Sequence, residues 1–239
     1  MDFPDLESAY AHLEEQALDY KYLRQIANLF QKIRDKMHVN EKPEDEKKAQ
    51  WEVDIFNFSF TKNQVQPLYT KSNEKGEKIE YPNYDRFDDS TYDYFVQRLN
   101  STKHPLLKAR YAHILWFSPR RHGKYSQIAI DAYLELVKIY EQKDKDEPNA
   151  HFGSSLLNVI INAFFLSRVI NDKTRLNSTK SEFKRLIFNF NSKSNYSFAL
   201  RRDLIHLMLS QTNTFNNDDF ARITSFQSKL NRLNGIKIR

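Results

Sequence analysis

Arg98 and His104 stand six positions apart in "RLNSTKH". An arginine can hold a phosphate and a histidine can pass a proton near neutral pH. The pair could therefore support phosphodiester cleavage if both side chains met one substrate. The stretch between them, Asn100 to Lys103, reads as a helix break and assigns them to different elements. A second set is His151, Ser155, Asn158 and Asn162, which recur at i, i+4, i+7 and i+11. That spacing draws one polar stripe along an otherwise apolar helix. Aligned asparagines of this kind can clamp the backbone of an extended peptide. They can equally satisfy loop or helix-end groups of their own domain, because a buried amide is costly unless hydrogen-bonded. A third set is basic: Arg120, Arg121 and Lys124 in "WFSPRRHGKYSQ", with Arg201 and Arg202 further on. Stacked hairpins could gather these cations for nucleic-acid phosphates, with Tyr125, Tyr196 and Phe198 as stacking faces. They also suit a plain helix corner, where basic side chains meet helix-end carbonyls.

The Arg98 to His104 spacing is the one used loosely by helical ribonucleases, and it recurs easily by chance. Other chemistries lack their residues. The chain has no cysteine, which removes disulfides, thiolate zinc sites and thiol nucleophiles. Its seven histidines stand singly, without an H-E-x-x-H or other paired-ligand spacing. There is no G-x-S-x-G and no P-loop, and only four glycines occur in 239 residues. Nucleotide-binding α/β folds need glycine where backbone approaches phosphate. The expectation is a chain with no catalytic residue, no metal site and no cofactor: not an enzyme.

The charge is uneven. From Arg168 to Arg239 there are 14 Lys and Arg against 5 Asp and Glu, whereas residues 1–167 hold 23 against 26. A basic C-terminal third can meet nucleic acid or an acidic partner, or form a solvated helical surface. The N-terminus, "MDFPDLESAY", has acids where a secretory signal would be basic and then apolar. The longest apolar stretch, Leu156 to Ile170, contains two asparagines and is shorter than the roughly 20 residues of a membrane span. These features predict a cytoplasmic protein without membrane association.

The elements that must position these residues are helical. Leu6, Tyr10, Leu13, Ala17, Tyr20, Leu23, Ala27, Phe30 and Ile33 predict one long amphipathic helix from Leu6 to Lys36, capped by Asp5. A charged connection at residues 40–50 leads into a short helix. Residues 53–87 form an irregular aromatic insert, in which Phe56, Phe58 and Phe60 alternate as in an extended segment and "NEKG" resembles a hairpin turn. Helices then follow at about His104 to Phe117 (with Pro105 in the first turn), Tyr125 to Gln142 and Phe152 to Asp172, after one carrying Tyr92, Phe95, Val96 and Leu99. Three more stripes follow, around Phe183 to Phe190, Phe198 to Met208 and Phe220 to Leu233. Short polar connections make neighbours antiparallel. The fold class expected is all-α: antiparallel helix hairpins stacked as an irregular bundle or short α-solenoid, with an irregular extended insert. The parts are residues 1–52 (long helix and connection), 53–87 (insert) and 88–239 (helical-hairpin core).

"GKYSQIAIDAYLEL" resembles a tetratricopeptide-type hairpin, with a Gly-x-Tyr entry and small Ala129 ahead of aromatic Tyr133. No second copy stands at a 34-residue period. "RLNSTKHPLLKARYAHILW", Arg98 to Trp116, with the helices after it, is similar to the N-terminal helical region of larger uncharacterised bacterial proteins. That resemblance implies a scaffold or recognition role, and names no catalytic residue. The chain end, "SKLNRLNGIKIR", fits a piece of a bigger protein. The expected function is a non-enzymatic helical interaction module that binds protein or its own downstream domain, with Asn158, Asn162, His151 and Ser155 as the contact surface. The alternatives are a nucleic-acid-binding module using Arg120, Arg121, Lys124, Arg201 and Arg202, and a helical RNase.

Overall fold

A computed structural model describes residues 3–16, 23–56, 68–72, 78–82, 89–117, 123–146 and 153–189. Among them are eight helices and one β-hairpin. The helices are α1 (Leu6–Glu15), α2 (Leu23–Val39), α3 (Pro43–Phe56), α4 (Asp89–Ser101), α5 (Pro105–Phe117), α6 (Gly123–Asp146), α7 (Gly153–Val169) and α8 (Lys173–Asn189). The strands β1 (Leu68–Ser72) and β2 (Lys78–Pro82) pair antiparallel, with Tyr69 opposite Tyr81 and Ser72 opposite Lys78. The fold is all-α, a bundle of helices packed on their chain neighbours.

The expected long N-terminal helix is in fact two. Asp5 caps α1 as expected, accepting the Ser8 N–H at 2.8 Å. The helix stops at Glu15 because Gln16 leaves helical geometry for extended backbone (φ −84°, ψ 145°). The apolar stripe does not reveal the break, since both halves bury it: Leu6, Tyr10 and Leu13 in α1, Leu23, Ala27, Phe30 and Ile33 in α2. Lys36 Nζ near the end of α2 donates to the Phe3 carbonyl at 3.2 Å, so α2 returns toward the start of α1.

Most of the charged stretch expected as a connection, residues 40–50, is instead helix. Pro43 opens α3 at a position where its missing N–H costs nothing, and the helix continues through Phe56. The 52/53 boundary of the sequence reading falls inside it, and Phe56 is a buried helical core residue rather than part of an extended segment. The strands flank residues 73–77, so the expected hairpin is present although "NEKG" itself lies outside the described residues. The helices expected around Phe198 and Phe220 lie outside them too.

Two inter-helix turns share one geometry. After α2, Glu41 adopts φ 53°; after α7, Asn171 adopts φ 54°. In the first, Glu41 N–H bonds the His38 carbonyl and Lys42 N–H the Met37 carbonyl. In the second, Asn171 N–H bonds Arg168 and Asp172 N–H bonds Ser167 in the same order. This is the Schellman arrangement, which ends a helix with one left-handed residue and satisfies its last carbonyls. Val39 and Val169, the exposed large hydrophobics among the described residues, occupy the same position in the two turns, directly before Asn40 and Ile170.

α8 is fastened to α6 by two forked ion pairs. Arg175 donates to both Asp131 oxygens at 2.9 and 2.7 Å, and Arg185 to both Glu141 oxygens at 3.1 and 2.6 Å. Ten residues separate the partners on each helix, so α6 and α8 run parallel with α7 between them in sequence. Both arginines are held well above the usual range, Arg185 by Glu141 first and Arg175 by Asp131 first. Burial pushes Glu141 up, but its bonds to Arg185 and Lys145 outweigh this and leave it below the usual range.

Candidate functional site

The densest polar chemistry in the described residues is buried where α1, α3, α4 and α5 meet. Glu52 of α3 is fully buried. Its carboxylate accepts the Tyr94 hydroxyl at 2.6 Å and the Tyr111 hydroxyl at 3.0 and 3.2 Å. Arg98 Nε lies 3.4 Å from Glu52 Oε1 as an ion pair. The Arg98 guanidinium covers the Tyr10 ring, 3.4 Å from its centroid, and the Tyr10 and Tyr94 hydroxyls bond to each other. Burial pushes Glu52 above the usual carboxylate range, and Arg98 and the two hydroxyls offset this only in part. Burial likewise raises Tyr10, Tyr94 and Tyr111, with Glu52 adding to it. One carboxylate thus fixes helices from both halves of the described fold.

Helix periodicity explains how these groups meet. Tyr94 and Arg98 are i and i+4 on α4, so they share the face turned to α3. Tyr111 sits on α5 among Leu107, Ile114 and Leu115, all buried. In the sequence Tyr10 and Tyr111 read as core aromatics, and Glu52 does not stand out. The available signal was "WEVDIF": an acid directly between Trp51 and Val53, on the stripe that buries Ala49, Val53 and Phe56.

This network also places the two residues of the cleavage reading. Arg98 is 8% exposed and engaged by Glu52, Tyr10 and Tyr111. His104 lies beyond the helix break and accepts the Leu106 N–H on Nδ1 at 3.1 Å, as a cap of α5. Burial lowers its pKa. Glu14, at the end of α1, completes that cap: its Oε2 accepts the N–H groups of Lys103 at 2.9 Å and His104 at 3.1 Å, and its Oε1 the Thr102 hydroxyl. The two residues therefore do separate structural work and do not converge on one open site. At the other end of this interface Arg110, also buried, donates to the Ile55 carbonyl at 2.6 Å and satisfies the end of α3.

The polar stripe of α7 divides. Ser155 is buried, Asn158 is exposed, and Asn162 is half-buried with its amide donating to the Asn158 carbonyl one turn back, at 2.8 Å. His151 lies outside the described residues, as do Arg120, Arg121, Arg201 and Arg202. Lys124 is exposed at the start of α6, with its ammonium 4.8 Å from the Tyr125 ring centroid. Among the described residues no group of three or more His, Asp or Glu side chains is placed to hold a metal, and no helix is long and apolar enough to cross a membrane.

A groove of about 760 Å³ lies between α2 and α3, with Thr91 of α4 also lining it. Its walls are Arg34, Asp35 and His38 on one side and Glu46, Lys47, Gln50, Trp51 and Asp54 on the other. These groups brace one another across the hairpin. Arg34 donates to Gln50 at 2.5 Å, Gln50 to Asp54 at 3.0 Å, and His38 Nδ1 meets Glu46 at 3.1 Å. Trp51 is half-buried in this wall, against the Tyr94 ring (5.1 Å between centroids) and below the Lys47 ammonium at 5.0 Å.

Residues 15–179 match the family described as a domain of unknown function (DUF7380). No curated protein and no solved structure matches the chain.

Proposed function

The chain belongs to the DUF7380 family, and we propose that it serves as a non-enzymatic helical interaction module: the cytoplasmic, N-terminal scaffold part of a larger bacterial protein, binding protein or its own downstream domain. The observation that carries this reading is the α2–α3 groove. Trp51 stands half-buried in a wall whose polar groups are already braced, so a partner meets a preformed surface and orders few side chains on docking. Tryptophan and arginine are the residues that most often dominate binding energy at such surfaces. The parallel α6 and α8 favour a helical-repeat, tetratricopeptide-like scaffold. The α7 face bearing Asn158 is a second, weaker contact candidate, with Asn158 exposed and Asn162 turned onto its own helix.

The test is site-specific photocrosslinking in the native cell. A photoreactive residue at Gln50 should give a discrete crosslinked product, while the same residue at exposed Glu135 of α6 should not. Equal products from both positions would remove the groove from consideration. Binding of a 20-nucleotide single strand that persists at physiological salt and weakens steeply as salt rises would favour the nucleic-acid reading instead.

A further inference from the structure

A second opening lies apart from the α2–α3 groove, on the far side of Tyr94. It is a cleft of about 310 Å³ between the first turns of α1 and α3 and the outer half of α4. Its size suits a small molecule rather than a peptide. Charge of both signs lines it. Glu7 and Asp5 come from α1, Asp45 and Lys48 from α3, and Arg98 from α4, with Gln97 and Ser101 between them.

The charges differ in how firmly they are held. Asp5 caps α1 through Ser8. Asp45 and Lys48 are 3.8 Å apart and both substantially exposed. Arg98 is buried, yet its contacts are long: 3.4 Å to Ser101 Oγ, 3.4 Å to the Tyr111 hydroxyl, and 3.4 Å from Nε to Glu52 without a hydrogen bond at Nε. Among the described residues Glu7 and Gln97 have no hydrogen-bond or ion-pair partner. A simple anion entering this cleft would face three carboxylates, and a simple cation would face Lys48 and Arg98, whose charge is shared with buried Glu52. A molecule carrying both charges a few ångströms apart meets each wall with its complement.

We propose that this cleft binds a free α-amino acid, with its carboxylate toward Arg98, Ser101 and Lys48 and its ammonium toward Glu7 and Asp5. Gln97 supplies both an amide donor and an acceptor to the same ligand. The floor of the cleft is the Tyr10–Tyr94–Arg98 group, so occupancy braces α1 against α3 and α4. The site is independent of the α2–α3 groove and stands whether or not that groove takes a partner.

Calorimetric titration of the full chain tests this with each of the twenty standard amino acids, and with acetate and methylamine as the two half-ligands. At least one amino acid should bind with a millimolar or tighter Kd, and neither half-ligand should match it. Glu7→Gln at an exposed position and Lys48→Met at a half-buried one should leave the melting temperature of the unliganded chain unchanged while weakening that amino acid at least tenfold. The proposal is overturned if no amino acid binds, if acetate or methylamine alone binds as tightly, or if both folded variants keep full affinity.

Discussion

Glu52 Oε1 of α3 and Arg98 Nε of α4 form an ion pair 3.4 Å apart, with the carboxylate fully buried and the guanidinium 8% exposed. Removing one partner of such a pair strands the other charge in the interior, which costs about 3–5 kcal/mol. Removing both replaces an ion pair by neutral groups and costs much less. Glu52→Gln and Arg98→Met should each destabilise the fold by about 3 kcal/mol or more, and the double variant by clearly less than the sum. Urea unfolding of the four proteins measures the coupling. Strictly additive losses would show that the two side chains do not act as a pair.

Glu14 offers a cleaner local test, since its carboxylate reaches from the end of α1 to three donors at the start of α5. Capping interactions are worth about 0.5–2 kcal/mol, and a charged acceptor at a helix N-terminus adds to this. Glu14→Ala should therefore lower stability by about 2 kcal/mol in urea unfolding. Amide exchange should rise first at Lys103 and His104. Protection there that is unchanged by the substitution would count against the cap.

Much of this fold can be read from the chain, and the failures have physical causes. Asp5, Pro105 and the stripes of α4 to α8 mark their helices because caps, prolines and 3.6-residue periodicity are local. The break at Gln16 leaves no such mark, because both flanking helices continue to bury apolar residues on one face. The central site is less legible still. Arg98 stood out by type, but its partners Glu52, Tyr10 and Tyr111 come from three other helices, and nothing in their spacing links them. Likewise "KTRLNSTKSEFKR" reads as a basic surface, whereas Arg175 and Arg185 are forked onto Asp131 and Glu141 of α6. The surplus charge of a segment says little about its exposed charge until its packing neighbours are known.

The matched turns after α2 and α7 predict an unequal pair of stabilising substitutions. A side chain at positive φ costs about 1–2 kcal/mol for an ordinary L-residue, and asparagine tolerates it better than glutamate. Glu41→Gly relieves φ 53° and should raise stability by about 1 kcal/mol. Asn171→Gly should gain only a few tenths of that or nothing. Thermal melts of both variants check the order. A larger gain at Asn171 than at Glu41 would contradict it.

His113 makes stability depend on pH in a definite direction. It is buried on α5 with Nδ1 2.9 Å from the Tyr133 hydroxyl of α6. Burial first, and the nearby Arg110 second, push its pKa down to about 3 from 6.5. The unfolded chain therefore takes up a proton near pH 6.5 that the folded chain refuses until about pH 3. The stabilisation is fully present above 6.5 and is lost as pH falls toward 3, at up to about 1.4 kcal/mol per pH unit. Glu52, raised rather than lowered, tilts the acid limb the opposite way, so the two must be separated. His113→Gln cannot protonate and leaves Glu52 in place. The stability difference between wild type and His113→Gln should be flat from pH 7 to 8 and should shrink by about 2–3 kcal/mol between pH 6.5 and 4.5. A difference that stays constant across that window would mean that His113 is not held neutral by its burial.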